Sequence, residues 1–193
     1  DPDNKKIGGT VNIHFRAPAE LSKIRIDLYE NLDISSLKMS GQEIPFLRND
    51  RAVIASLPDP LVIGRDYIIV VEYDGKPTIA KNPPWNGGVV WKKDEKDNPW
   101  IGVTCETEGG SIWFPCKDHL SDEPDSVRLR MTVPAGLQVV SNGKMQSHSS
   151  NAGRETFTWS TQYPVNIYNM TFYAGNFEHF SDTMHTPQGI LSL

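Results

Sequence analysis

The chain is poor in cysteine, with two in 193 residues, Cys105 and Cys116. One pair cannot build a disulfide-stapled scaffold, so the fold has to rest on an apolar core. No apolar run approaches the roughly 18 to 20 residues of a membrane-spanning helix, and no membrane partner is expected. Positive charge is not in excess either. Nineteen Lys and Arg face 24 Asp and Glu, for a formal net charge of −5. A nucleic-acid partner usually needs a basic stripe to displace counterions, so none is expected. Internal repeats and low-complexity tracts are missing, and so is any long stretch with the periodicity of an amphipathic helix.

What remains is alternation with period two. Val11, Ile13 and Phe15 alternate with Asn12, His14 and Arg16, and Ile24, Ile26 and Leu28 alternate with Arg25 and Asp27. Both patterns predict half-buried strands. Further strands are expected over Ala52 to Leu57, Tyr67 to Tyr73, Val127 to Val133, Leu137 to Ser141, Thr156 to Ser160 and Asn169 to Phe177. Ser40-Gly41 and Asn142-Gly143 read as hairpin turns. Strands at about 8 to 12 residue spacing, punctuated by Gly, Pro and Asn, indicate an all-β fold, a sandwich or a curved sheet assembly. We expect one β-rich domain over residues 1–193, with a loop insertion at about 81–99, where three prolines, two glycines and two tryptophans crowd together. Residue 1 is Asp, and Gly189 to Leu193 is an apolar, strand-like run. These ends lead us to expect a piece of a longer protein, and the missing initiator Met to expect an exported bacterial one, periplasmic or extracellular.

The stretch TCETEGGSIWFPCKDHLSDEPDS, residues 104–126, gathers both cysteines, a histidine and several carboxylates. Several chemistries suit these residue types. Cys105, Cys116 and His119, with Asp118 or Asp122, are possible metal ligands, but only the Cys116 to His119 step has the short spacing of a zinc knuckle. A disulfide between the cysteines closes a hairpin-sized loop. Cys116 beside His119 and Asp118 has the residue types of an activated thiolate. Against all three stands the plainer reading that the cysteines are small core residues. Glu106 and Glu108, two apart, read as one strand face whose opposite face carries Val103 and Cys105. A carboxylate beside Gly109-Gly110, where a backbone can approach a ligand closely, suits a cationic group such as a free α-amine. Trp85, Trp91, Trp100 and Trp113 are core residues in one reading and a carbohydrate-stacking platform in another. Asn169-Met170-Thr171 matches a glycosylation sequon, a match frequent by chance.

Thr104-Cys105-Glu106-Thr107-Glu108-Gly109-Gly110, followed by Trp113-Phe114-Pro115-Cys116-Lys117-Asp118, resembles the N-terminal domain of thermolysin-like zinc aminopeptidases, the aminopeptidase N and leukotriene hydrolase relatives. Asp122-Glu123-Pro124, the segment Val127 to Pro134, Val140 to Gly143 and Asn169 to Phe177 continue the likeness over about residues 100–180. The first 80 residues agree only in being strand-rich. One departure is the insertion of His119-Leu120-Ser121 before Asp122, so no family role is carried over to Asp118, which is expected to be structural. The resemblance implies that Glu106 holds the α-amino group of a peptide with a free N-terminus, and that the domain covers the active-site cleft. It implies zinc in the full-length enzyme and none bound by this chain. The family's His-Glu-x-x-His and Gly-x-Met-Glu-Asn motifs do not occur, and no two of the five histidines are four apart. The catalytic zinc domain is therefore expected after residue 193, and the chain alone is expected to be inactive. The alternative from another class is a non-catalytic β-sandwich module that binds carbohydrate or protein.

Overall fold

The computed structural model describes residues 1–192. The first half is built from β1 (Ile7–Arg16), β2 (Lys23–Asp27), β3 (Leu32–Met39), β4 (Gln42–Glu43), β5 (Phe46–Asn49), β6 (Ala52–Ser56) and β7 (Asp66–Gly75). They form two antiparallel sheets, β1-β7-β3-β4 and β2-β6-β5. The second half holds β8 (Gly88–Lys93), β9 (Pro99–Thr104), β10 (Val127–Pro134), β11 (Gln138–Ser141), β12 (Lys144–Asn151), β13 (Arg154–Thr161) and β14 (Phe172–Gly175). These also form two sheets, β11-β14-β9-β8 and β10-β13-β12. A last hairpin pairs β15 (Thr183–Thr186) with β16 (Gly189–Ser192); Leu193 lies outside the described residues. The two 3₁₀ turns, Gly110–Ile112 and Ile167–Asn169, are the only helical segments among the described residues. The all-β expectation holds.

The alternation seen in the sequence is the reason these strands form. On β1, Val11, Ile13 and Phe15 turn inward while Asn12, His14 and Arg16 face out. β1 pairs with β7 along its whole length, from Ile7 opposite Gly75 to Arg16 opposite Asp66. β7 lies between β1 and β3, so its Ile69, Val71 and Tyr73 are buried. The interior falls into two apolar clusters. One packs Leu28, Leu37, Val53, Ile69 and Val71 between the first two sheets. The other packs Val103, Ile112, Trp113, Val139, Phe157 and Phe172 in the second half. Ile7 and Phe114 touch both clusters.

The segment after β9 ties the halves together. At the end of β2, the Asp27 N–H donates to the Cys116 carbonyl (2.8 Å) and the Cys116 N–H to the Asp27 carbonyl (3.1 Å). The Tyr29 N–H donates to the Ser111 carbonyl (3.0 Å). Backbone groups buried at this junction thus find partners, as buried amides must. The Trp113 indole donates to the Met170 carbonyl (3.1 Å) and meets Phe172 edge-on with ring centres 5.2 Å apart.

Two expectations need correction. Residues 81–99 are loop only at 81–87 and 94–98; Gly88–Lys93 is β8, paired with β9 from Gly88 opposite Thr104 to Lys93 opposite Pro99. Its Val89 and Val90 are buried, and that apolar core contact outweighs the surrounding Pro and Gly. Asn142-Gly143 is not a hairpin turn either. β11 pairs with β14 and β12 with β13, so the turn passes the chain from one sheet to another. The Asn142 side chain explains the divergence, because it accepts from the Thr171 N–H (2.9 Å) and donates to the Asn169 carbonyl (3.0 Å). The hairpin of this region is β12–β13, turning at Ala152-Gly153 with positive φ at both, the preference of a type I′ turn.

Candidate functional site

Glu106 and Glu108 do not lie on a strand face. β9 ends at Thr104, and the chain then turns over residues 106–108. The Cys105 carbonyl accepts from the N–H groups of Glu108 (3.0 Å) and Gly109 (2.8 Å), which closes the turn. Thr107 at its tip has φ 63, a left-handed conformation that a β-branched residue rarely adopts. Such strain persists only where the surroundings over-determine it. Cys105 is buried, as the alternation implied, while both glutamates are half-buried.

Both carboxylates take a tyrosine hydroxyl, from different parts of the fold. Tyr168 donates to Glu106 Oε2, and Tyr29 donates to Glu108 Oε2. Glu108 also receives Arg51 Nη1 at 3.1 Å, and the Arg51 guanidinium lies 3.8 Å above the Tyr29 ring. The Tyr29 hydroxyl is held well above the ordinary tyrosine range, first by burial and then by its bond to Glu108. Tyr168 is raised as well, chiefly because its proton is shared with Glu106. Glu108 is thus neutralised by Arg51. Among the described residues, Glu106 receives one side-chain hydrogen bond and no cation, which leaves Oε1 without a bonded partner.

Three features hold this turn in place. Gly87 lies against it so closely that a Cβ there would sit 2.7 Å from Glu108 Cγ and 2.8 Å from the Glu106 carbonyl oxygen. Thr104 Oγ1 donates to the Pro84 carbonyl (3.0 Å) and binds the 81–87 loop to the end of β9. On the far side, Asp118 accepts from the Gly110 N–H (3.2 Å), the Ser111 N–H (3.1 Å) and Ser111 Oγ (2.6 Å). The Asp118 N–H in turn donates to Asp27 Oδ2 (3.0 Å). Asp118 therefore caps the 3₁₀ turn, a structural part. Gly110 packs against Ile167, and Asn166 Oδ1 accepts from the Tyr168 N–H (2.9 Å), so the second 3₁₀ turn carries Tyr168 to Glu106.

The alternatives raised by the cysteines are not realised. Cys105 and Cys116 are both buried and both free. Burial pushes the Cys105 thiol up to about 12, with the Asp118 charge adding to it, and pushes Cys116 well above the ordinary thiol range. Such thiols are protonated at neutral pH and are neither nucleophiles nor metal ligands. His119 is exposed, and its Nδ1 faces Ser121, not Cys116. Among the described residues, no group of three or more His, Cys, Asp or Glu side chains is arranged to hold a metal ion. The tryptophans differ in their surroundings. Trp113 is core, Trp91 is half-buried, Trp100 tilts against Tyr173, and Trp85 stands 69% exposed. Two open grooves of the surface do not include Glu106: one runs along Arg25, Glu30 and Asn49 to Ala52, the other along His14 to Arg16 and Asp66 to Ile68.

Tyr168, Tyr29 and Arg51 escaped the sequence reading. Their partners lie 62, 79 and 57 residues away, and no local pattern encodes such pairs.

No family model matches the chain, and a search of curated proteins finds no match. Solved structures do match. An M1 zinc metallopeptidase from Deinococcus radiodurans is 25% identical with a TM-score of 0.74, over 88% of this chain and 38% of that one. A mutant of the Deinococcus radiodurans enzyme bound to a Tyr-Ser-Ala substrate is 23% identical with a TM-score of 0.80, over 97% and 42%. A two-domain M1 zinc metallopeptidase mutant bound to L-tryptophan is 23% identical with a TM-score of 0.81, over 97% and 43%. This chain thus spans about two fifths of the length of the structures it matches. Zinc, named in those structures, finds no ligand set among the described residues. The all-β architecture is the fold of the N-terminal domain of M1 zinc metallopeptidases, the family whose motifs residues 104–126 resemble.

Proposed function

We propose that this chain is the N-terminal domain of a zinc metalloaminopeptidase, and that Glu106 anchors the free α-amino group of the peptide substrate. The observation that carries this reading is the contrast between the two glutamates. Glu108 has its charge balanced by Arg51, whereas Glu106 is half-buried with Oε1 free to accept a cation. An ammonium meeting that oxygen in a partly desolvated cleft makes a charge-assisted hydrogen bond, stronger than one in open water. Anchoring the amine there also measures the substrate from its end and restricts cleavage to the first residue. Two similar structures, bound to a Tyr-Ser-Ala substrate and to L-tryptophan, are occupied by molecules with a free amine, which supports the same chemistry here. Zinc-dependent hydrolysis belongs in this reading to residues of the whole enzyme outside this chain, and the chain alone is inactive.

The test is Glu106→Ala in the whole enzyme, assayed with unblocked peptides. Losing a charged anchor lowers kcat/KM by about 2 to 4 kcal/mol, roughly 30- to 1,000-fold. Wild-type efficiency in that variant would sink the assignment.

A further inference from the structure

Glu106 sits on a strained turn at the end of a strand, where a carboxylate has several rotamers open to it. What selects one is Tyr168. Its hydroxyl donates to Oε2 and leaves Oε1 as the acceptor of a cation. The donor comes from a separate element. Tyr168 stands in the Ile167–Asn169 3₁₀ turn, whose first residue packs on Gly110 and whose N–H at Tyr168 is bonded by the Asn166 side chain. Gly110 belongs to the turn that Asp118 caps, three residues after Thr107. The hydroxyl and the carboxylate are thus fixed to one rigid substructure from two directions. Glu108 has a similar tyrosine in Tyr29, but there Arg51 supplies the positive charge.

We propose that Tyr168 is a positioning residue for amine recognition: its hydroxyl orients the Glu106 carboxylate so that Oε1 faces the substrate ammonium. This rests on the assignment of Glu106 as the amine anchor. A carboxylate held in advance loses less rotamer entropy on binding than a free one, so the gain is in affinity for the amine. Tyr168 does not itself touch the reacting bond and is not a catalytic residue.

The test uses the whole enzyme and four forms: wild type, Tyr168→Phe, Glu106→Ala and the double variant. Phe keeps the ring and removes only the hydroxyl. Tyr168→Phe is expected to lower kcat/KM on an unblocked dipeptide about tenfold, the size of a hydrogen bond to a charged group. The loss should appear mainly in KM, because a positioning contact to the amine acts alike in ground and transition states. In the Glu106→Ala background the same change should cost less than about twofold, since the two residues act as one unit. A second readout is competitive inhibition by a short primary amine and its N-acetyl analogue. Tyr168→Phe should weaken the amine about tenfold and leave the acetylated compound unchanged, which a general loosening of the fold would not do. A wild-type profile for Tyr168→Phe, beside an impaired Glu106→Ala, overturns the proposal alone. Equal losses in both backgrounds overturn it too and leave Tyr168 with a packing role. Full activity in Glu106→Ala overturns this proposal together with the assignment beneath it.

Discussion

The carboxylate of Asp118 occupies the space into which a side chain on Gly109 would have to project. Gly109 also has φ 83, in the left-handed region that favours glycine. Both constraints act at one position between Glu108 and the capped 3₁₀ turn. Gly109→Ala is therefore expected to lose about 2 to 4 kcal/mol of stability, from backbone strain and from displacement of the cap. Asp118→Ala strands the Gly110 and Ser111 amides and should cost about 2 to 3 kcal/mol. Urea titration of the two variants measures both, and a midpoint equal to wild type in either would contradict the capping role.

The two thiols give a pH dependence with a definite sign. Their folded pKa values lie above the ordinary value of 9.0, Cys105 at about 12 and Cys116 also raised. The folded state therefore holds these protons more tightly than the unfolded state. Stability from this source is complete below about 9 and is lost as pH rises toward about 12. Equilibrium unfolding between pH 8 and 10.5 should show the decline beginning near 9, and replacing both cysteines with alanine should flatten it. A thiol reagent should label neither residue in native protein at pH 8 and both in guanidinium. Rapid native labelling of Cys116 would contradict its burial.

Asn142 is expected to matter more than a turn residue usually does. Its side chain bonds both Thr171 and Asn169, and so fixes where β11 leaves one sheet and β12 enters another. Asn142→Ala should cost about 1 kcal/mol, because it takes the partner from the half-buried Thr171 amide and leaves the exposed Asn169 carbonyl to water. Asn142→Asp keeps the acceptor for Thr171 and should recover part of the loss. Thermal unfolding of the three proteins compares them directly.

The two glutamates of the turn should separate in a functional assay. Glu108→Gln removes a charge already balanced by Arg51, at a largely solvent-screened pair. Its effect on stability should stay within about 1 kcal/mol, and its effect on unblocked substrates well below that of Glu106→Ala. Steady-state kinetics of both variants in the whole enzyme decide this, and an equal loss from Glu108→Gln would mean that the amine is shared between them.

Much of the fold was legible without coordinates, because a strand with one buried face writes its period into the chain. Val11, Ile13 and Phe15 on β1 and Ile24 and Ile26 on β2 are examples. β8 was hidden because its Gly88-Val89-Val90 run is short and flanked by prolines, and its strand character comes from pairing with β9. Asn142-Gly143 misled for a related reason. A local turn preference says that the chain bends, and leaves open which strand waits on the other side.

At the site the division is similar. Residue types pointed to a carboxylate beside Gly109-Gly110 and left the cysteines ambiguous, and the family resemblance picked Glu106 from the pair. Sequence determined which groups were available over residues 104–126: six carboxylates, two thiols, one histidine, and the glycines that let the backbone approach. Tertiary structure alone decided their states. Packing buried the thiols and so kept them protonated. Arg51 and Tyr29, brought from the first half of the fold, took Glu108, and Tyr168 from the second half took one oxygen of Glu106. A charge is balanced or left open by neighbours within a few ångströms, and in a sheet protein those neighbours come from strands and turns far apart along the chain.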